Sequence, residues 1–310
     1  MKRITNTLKA TVAALALMAA PAFAADPLVD VGWLKENLGA DGMVVIDARG
    51  STDYLRGHIP GAVNTNYGKD GWRVKVDGVP GLFPEDPTKL GELIGSLGIG
   101  NDTHVVIVAP GNSSSDMGTA TRIYWTFKVL GHEEVSVLNG GMKAYLAEVD
   151  GDKKPVNPLD KGAVEATPAS FSIDFQEEMV PDAGEVMAMI DAGALPVDNR
   201  TADQYLGVNK HGAAKAYGTV PGAVNLPQSW ATENAGGVFR DAESLAALYD
   251  AAGVPVEGAQ VNFCNTGHWA SIGWFVSSEI LGNDAAVLYD PSMTGWTAEG
   301  MPVEAKISVN

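Results

Sequence analysis

The sequence predicts an α/β protein of two similar domains, each a small parallel sheet with helices on both faces. Three observations predict it. The chain repeats itself: Val44-Val45-Ile46-Asp47-Ala48-Arg49 is echoed by Leu195-Pro196-Val197-Asp198-Asn199-Arg200. Pro60-Gly61-Ala62-Val63-Asn64 is echoed by Pro221-Gly222-Ala223-Val224-Asn225, and Val129-Leu130-Gly131-His132 by Ile280-Leu281-Gly282-Asn283, in the same order. Short β-branched runs alternate with stretches of helical period in each copy. A chain of 310 residues also exceeds one ordinary domain and suits two, each able to bury its own core.

In the first copy, strands are expected at Met43–Ile46, Val105–Ala109 and Val135–Leu138, with helices over Leu90–Leu97 and Thr121–Leu130. In the second they are expected at Leu195–Val197, Gln260–Phe263 and Ala286–Tyr289, with helices over Ser244–Ala252 and Ser271–Leu281. That βαβ rhythm gives a parallel sheet with its chemistry in loops at the carboxyl ends of the strands. The first and third repeat pairs share one spacing, 47 to 198 and 131 to 282, whereas 60 to 221 is about ten residues wider. The second copy therefore carries an insertion, placed within Gly207–Gly218. Residues 26–150 form the first domain and 176–310 the second. Between them, 151–175 contains Gly151, Pro155, Pro158 and Pro168 among charged and small residues, which suits an extended linker.

Residues 1–24 read as a signal peptide. Lys2, Arg3 and Lys9 precede an apolar run from Val12 to Ala20, and Ala22-Phe23-Ala24 is a small-x-small cleavage signature. The apolar run is shorter than the ~20 residues of a membrane span, and no later stretch can span a bilayer. An exported, periplasmic protein with no membrane attachment after cleavage is the expectation. The formal charge of −17 becomes more negative by three once that segment is removed, because it holds three cations and no acid. Nucleic acid is excluded as a partner, since binding there depends on neutralising phosphates with Lys and Arg.

Cys264 is the only cysteine, so it cannot form an internal disulfide. It is either a small buried apolar residue or a reactive thiol. Its setting favours the thiol: Val261-Asn262-Phe263 runs straight into Cys264-Asn265-Thr266-Gly267-His268-Trp269 and then a helical stretch. A thiol at a strand's carboxyl end, facing loop N–H groups and a helix N-terminus, sits where an anion is stabilised and a thiolate becomes available as nucleophile. The equivalent place in the first copy reads Ala109-Pro110-Gly111-Asn112-Ser113-Ser114-Ser115-Asp116. It has no thiol; Ser113–Ser115 reads as plain loop rather than nucleophile, and the first domain as a structural partner that shapes the cleft. Five scattered histidines and one cysteine make no metal cluster, and no flavin or nicotinamide fingerprint appears, so no metal and no cofactor is expected.

These motifs together resemble those of the tandem-domain rhodaneses, the thiosulfate/3-mercaptopyruvate sulfurtransferase family, over nearly the whole chain after residue 24. Tyr54-Leu55-Arg56-Gly57-His58-Ile59-Pro60-Gly61-Ala62 is similar to the family's amino-terminal signature. Leu288-Tyr289-Asp290-Pro291-Ser292-Met293-Thr294-Gly295-Trp296 resembles the carboxyl-terminal one, and Cys264-Asn265-Thr266-Gly267 fits its Cys-x-x-Gly loop. The resemblance implies a rhodanese fold and a cysteine that takes sulfane sulfur from a donor such as thiosulfate and passes it to a thiophilic acceptor such as cyanide or a thiol. A persulfide intermediate needs neither metal nor general base and implies ping-pong kinetics. The chain departs from the pattern at Thr266 and Gln204, where family members acting on thiosulfate carry basic residues. The loop is also not the one associated with mercaptopyruvate, and Trp269 stands where related phosphatases need arginine.

Three residues are candidates to replace those cations. Arg200 either faces the cleft or pairs internally with Asp198. His268 either gains charge beside the thiolate or lies in solvent. Trp269 either walls the sulfur or packs the loop against the first domain. Trp230 either lines the same cleft or serves the core or an interface, and His58 is read as structural. The expected partners are a small sulfur-containing anion or thiol. The alternative reading is a sulfur carrier or persulfide-binding module that delivers sulfur to a partner protein.

Overall fold

The computed structural model describes residues 25–307; residues 1–24, the expected signal peptide, lie outside them. In chain order the first half runs β1 (Leu28–Val29), α1 (Val31–Asn37), β2 (Met43–Asp47), α2 (Ser51–Arg56), β3 (Val63–Asn64), β4 (Val74–Val76), β5 (Val79–Leu82), α3 (Thr88–Ser96), β6 (His104–Val108), α4 (Ser114–Val129), β7 (Val135–Leu138) and α5 (Gly141–Tyr145). The second half runs α6 (Ala183–Asp191), β8 (Leu195–Asp198), α7 (Ala202–Leu206), β9 (Val224–Asn225), α8 (Ala242–Ala252), β10 (Gln260–Phe263), α9 (His268–Trp274), β11 (Ala286–Leu288) and α10 (Ser292–Ala298).

The strands form two parallel sheets, ordered β1-β7-β6-β2-β3 and β11-β10-β8-β9, plus the antiparallel hairpin β4-β5. The repeat therefore holds strand by strand, with β2, β3, β6 and β7 answered by β8, β9, β10 and β11. Side chains alternate between faces along a strand, and the burial follows: on β6, Val105 and Ile107 face one core while Val106 and Val108 face another. Helices cover both faces: Leu34 of α1 and Met142 of α5 on one side, Leu90 of α3 and most of α4 on the other.

The motifs that announced the repeat do the same structural work twice. Arg49 binds the Asp47 carboxylate and the Gly57 carbonyl; Arg200 binds Asp198 and the Gly218 carbonyl. Asn64 and Asn225 each donate to two backbone carbonyls that flank these pairs. The Tyr54 and Tyr205 hydroxyls donate to the carbonyls of Ala62 and Ala223. His58 is buried, stacked on Tyr54 at 4.0 Å with Nδ1 against the Tyr54 carbonyl, a structural role.

α4 and α9, the helices that follow the central strands, cross at the boundary between the copies. Thr121 and Ser271 share a hydrogen bond of 2.8 Å there, and one hydrophobic cluster runs from α3 and α4 into α8 and α9. Two helices differ from the sequence expectation. α4 begins at Ser114, because Ser113 caps it by accepting the Asp116 N–H at 3.1 Å; Ser113–Ser115 is thus a helix start rather than plain loop. α9 begins at His268 and widens into a π-helical stretch, Phe275–Ile280, so Ser271–Leu281 is not one regular helix.

Residues 151–175 hold no helix or strand and are strapped along the first domain. Asp160 pairs with His58 through both backbone bonds, Ala169 donates to Gly95, and Asp174 donates to Leu130. The repeated glycines Gly131 (φ +77°) and Gly282 (φ +76°) offer an internal control on that strap. A Cβ on Gly131 would lie 2.7 Å from the Asp174 Cβ and closer still to its carbonyl oxygen, whereas one on Gly282 meets nothing within 4 Å. Gly282→Ala should cost about 1–2 kcal/mol of left-handed backbone strain. Gly131→Ala should cost that plus about 1–3 kcal/mol of overpacking, read from denaturant midpoints. Equal losses would mean that the strap does not pack there.

Candidate active site around Cys264

Cys264 follows β10 at the carboxyl edge of the second sheet, and its side chain is only 1% exposed. The adjoining strand end holds the loop in place. After β11, the chain turns through Asp290 and Pro291 into Ser292, which is buried with φ +49° at the start of α10. Its Oγ accepts the N–H groups of Cys264 at 3.0 Å and Gly267 at 3.1 Å, donates to the Tyr289 carbonyl at 2.9 Å, and lies 3.9 Å from Cys264 Sγ. Two of the amides expected to point at the sulfur are therefore taken by a hydroxyl that approaches the sulfur itself. Met293 and Thr294 donate their N–H groups to the carbonyls of Cys264 and Asn265.

The first domain supplies the rest of the wall. Arg122 of α4 is completely buried, lies 4.4 Å from the centre of the Trp125 ring, and places Nη1 2.5 Å from Asp290 Oδ1. The other Asp290 oxygen accepts the Phe83 N–H at 2.6 Å. Burial opposes the charge of Arg122, but Asp290, together with the nearby Tyr67 and Cys264, more than offsets it and raises the guanidinium pKa above its usual value. Gly267 (φ +74°) has to be glycine, because a Cβ would fall 2.5 Å from Asp290 Oδ1 and closer still to Arg122 Nη1. Arg73, just ahead of the β4–β5 hairpin, donates from Nη2 to the Thr266 carbonyl at 2.7 Å. Tyr67 packs beneath Arg73, whose guanidinium carbon is 5.5 Å from the ring centre.

These contacts decide between the alternatives the sequence left open for Arg200, Trp269 and Trp230, and overturn both of those for His268. Arg200 is 1% exposed and bound to Asp198 and Gly218; it is an internal pair, the counterpart of Arg49, and does not face a cleft. His268 is neither charged nor in solvent. Its Nε2 donates to the Ser115 carbonyl at 2.8 Å, which leaves Nδ1 to accept the Tyr67 hydroxyl at 3.0 Å. Burial, with Arg73 nearby, lowers its pKa to about 4. Trp269 donates from Nε1 to Ser115 Oγ at 2.9 Å, so it packs the loop against the first domain. Gln204 touches the loop through Asn265, whose Nδ2 donates to Gln204 Oε1 at 2.8 Å. Trp230 is 44% exposed and lines a separate apolar pocket with Leu226, Leu245 and Tyr249, away from Cys264. Arg73, Arg122, Tyr67, Ser115, Asp290 and Ser292 are the site residues that sequence reasoning missed. Among the described residues, no group of three or more potential metal ligands occurs, and no helix is long and apolar enough to cross a membrane.

The Rhodanese-like domain family matches the chain twice, over residues 30–148 and 182–299. The chain belongs to the rhodanese-like family. This rhodanese is 32% identical over 292 residues to a protein of Mycolicibacterium smegmatis named "Putative thiosulfate sulfurtransferase", covering 92% of this chain and 98% of that one. It is 30% identical to the sulfur carrier protein TtuD of Thermus thermophilus, covering 89% and 95%. Among solved structures it superposes on the 3-mercaptopyruvate sulfotransferase SseA of Escherichia coli with a TM-score of 0.70 at 25% identity, covering 86% of this chain and 98% of that one. By class the rhodanese is a sulfurtransferase enzyme.

His268 gives a test with a definite sign. Its folded pKa of about 4 lies below the ordinary 6.5, so between those values the unfolded chain binds a proton that the folded one refuses. Stability should therefore be intact above pH ~6.5 and fall by about 1–3 kcal/mol as pH drops towards 4. His268→Gln should lack that part of the loss in urea unfolding measured at both pH values. Parallel curves for the two proteins would show that the imidazole is protonated in the native state.

Proposed function

We propose that Cys264 carries the transferred sulfur as a persulfide, with a sulfane-sulfur donor such as thiosulfate and a thiophilic acceptor such as cyanide or a thiol. The observation that carries this reading is the place of the chain's one thiol: at the carboxyl end of the central strand, first in a Cys-x-x-Gly loop, with Ser292 Oγ 3.9 Å from its sulfur. In the first step the thiolate attacks the outer sulfur of thiosulfate. An Sγ–S bond forms, the S–S bond of the donor breaks, and sulfite departs with the bonding pair. In the second step cyanide or a thiolate takes the outer sulfur, giving thiocyanate or a new persulfide and returning the Cys264 thiolate. Charge balances in each step, so no external oxidant or reductant is required.

A second reading is favoured by the likeness to a named sulfur carrier: the persulfide is handed to a partner protein rather than to a small molecule. Residues 1–24 support a periplasmic setting after cleavage, and amino-terminal sequencing of the exported protein should then begin at Ala25.

Intact-mass measurement after exposure to thiosulfate, mercaptopyruvate or polysulfide should show a gain of about 32 Da that Cys264→Ser abolishes. No adduct with any donor would sink both readings. Multiple turnovers with cyanide or a dithiol identify the enzyme, whereas a single slow release identifies the carrier.

A further inference from the structure

We propose that the anionic end of the sulfur donor binds in a cavity whose polar groups come from outside the Cys264 loop: the cations Arg73 and Lys75 of the first domain and the imidazole N–H of His211 of the second. The proposal rests on the sulfur-transfer reading of Cys264 and deepens it by naming where the donor is gripped and of what class it is.

A cavity of about 480 Å³ opens between the β4–β5 hairpin and the active-site loop, lined by Tyr67, Arg73, Lys75, Gly81, His211 and Thr266 among others. None of its lining residues is acidic, although the chain has 38 acidic and 21 basic residues. Both hydrogen bonds of Arg73 go to neutral carbonyls, Thr266 at 2.7 Å and Gly81 at 3.1 Å, so they orient the guanidinium without cancelling its charge. The Tyr67 ring beneath it fixes the plane. Lys75 is exposed on the hairpin. His211 sits in the insertion that the repeat spacing located within Gly207–Gly218. Its Nδ1 accepts the Ala213 N–H at 3.2 Å, which leaves Nε2 as the donor of the neutral ring. Thr266, two residues beyond Cys264, is among the lining residues, so the cavity adjoins the active-site loop.

Gln204 and Thr266 thus stand in place of cations that the neighbouring domain delivers instead. Volume narrows the ligand class. A site of several hundred Å³ holds an organic ligand of many heavy atoms, and a simple oxyanion fills little of it. The fitting donor is a persulfide that bears carboxylates, of amino-acid to peptide size.

Binding is separable from sulfur transfer by using the Cys264→Ser protein with S-methylglutathione, an unreactive dicarboxylate, and with thiosulfate, by calorimetry at low and moderate salt. S-methylglutathione should bind saturably, weaken with salt, and bind at least tenfold more weakly to proteins that also carry Lys75→Glu or Arg73→Ala. Lys75→Glu is the decisive variant because the lysine is exposed on the hairpin. In protein that retains Cys264, the same change should raise the half-saturating concentration for glutathione persulfide more than it lowers the maximal rate. No binding of S-methylglutathione, or binding indifferent to Lys75→Glu, overturns the proposal; binding of thiosulfate alone overturns the carboxylate-bearing donor. A protein that binds normally but gains no sulfur on Cys264 from any donor refutes the sulfur-transfer reading instead.

Discussion

The ion pair between Arg122 and Asp290 sets the shape of the active site. It joins α4 of the first domain to the turn after β11 in the second, and it is buried on both sides. Breaking such a pair by removing one partner costs roughly 3–5 kcal/mol, because the other charge is left in the interior. Asp290 also accepts the Phe83 N–H, so two segments of the first domain converge on one carboxylate. Two residues further on, Ser292 gathers the amides of Cys264 and Gly267. The position of the sulfur therefore depends on a chain of contacts that starts in the domain without a thiol.

That dependence gives the two copies of one unit different parts to play. In the first copy, the residues after β6 hold no thiol and form the capped start of α4. From there Ser115 receives His268 and Trp269, and Gly118 leaves room for the His268 ring, which a Cβ would meet at 2.7 Å. Neutral His268 is a spacer between Tyr67 and Ser115 rather than a charge beside the sulfur. The cations near the loop, Arg73 and Arg122, both belong to the first domain, and the apolar cluster that runs across the boundary keeps the two halves in register.

The repeat, the parallel strands and the place of Cys264 were legible in the sequence, because strand periodicity and strand-to-helix loops are local signals. The local sequence leaves Arg200 open between cleft and internal pair, and the repeat itself holds the answer: Arg49 occupies the matching place in the copy without chemistry, so the arginine serves the fold. Arg73 and Arg122 were not legible, since their contacts cross some two hundred and one hundred and seventy residues of chain and no local pattern encodes them. One signal was present. Val74-Lys75-Val76-Asp77-Gly78-Val79 alternates around an Asp-Gly pair, and Asp77 and Gly78 both adopt positive φ, as a tight hairpin turn requires. It marks the hairpin beside Arg73, though not what the hairpin faces.

The most direct test is amide hydrogen exchange in Arg122→Lys, which keeps the charge but not the planar guanidinium over Trp125, together with the rate at which Cys264 gains sulfur. If the first domain shapes the loop, exchange should quicken in residues 264–270 and 289–294 while β8 keeps its protection. Sulfur loading should then slow by about tenfold or more, as expected when a reacting group is misplaced. Unchanged protection of the loop together with an unchanged loading rate would contradict it.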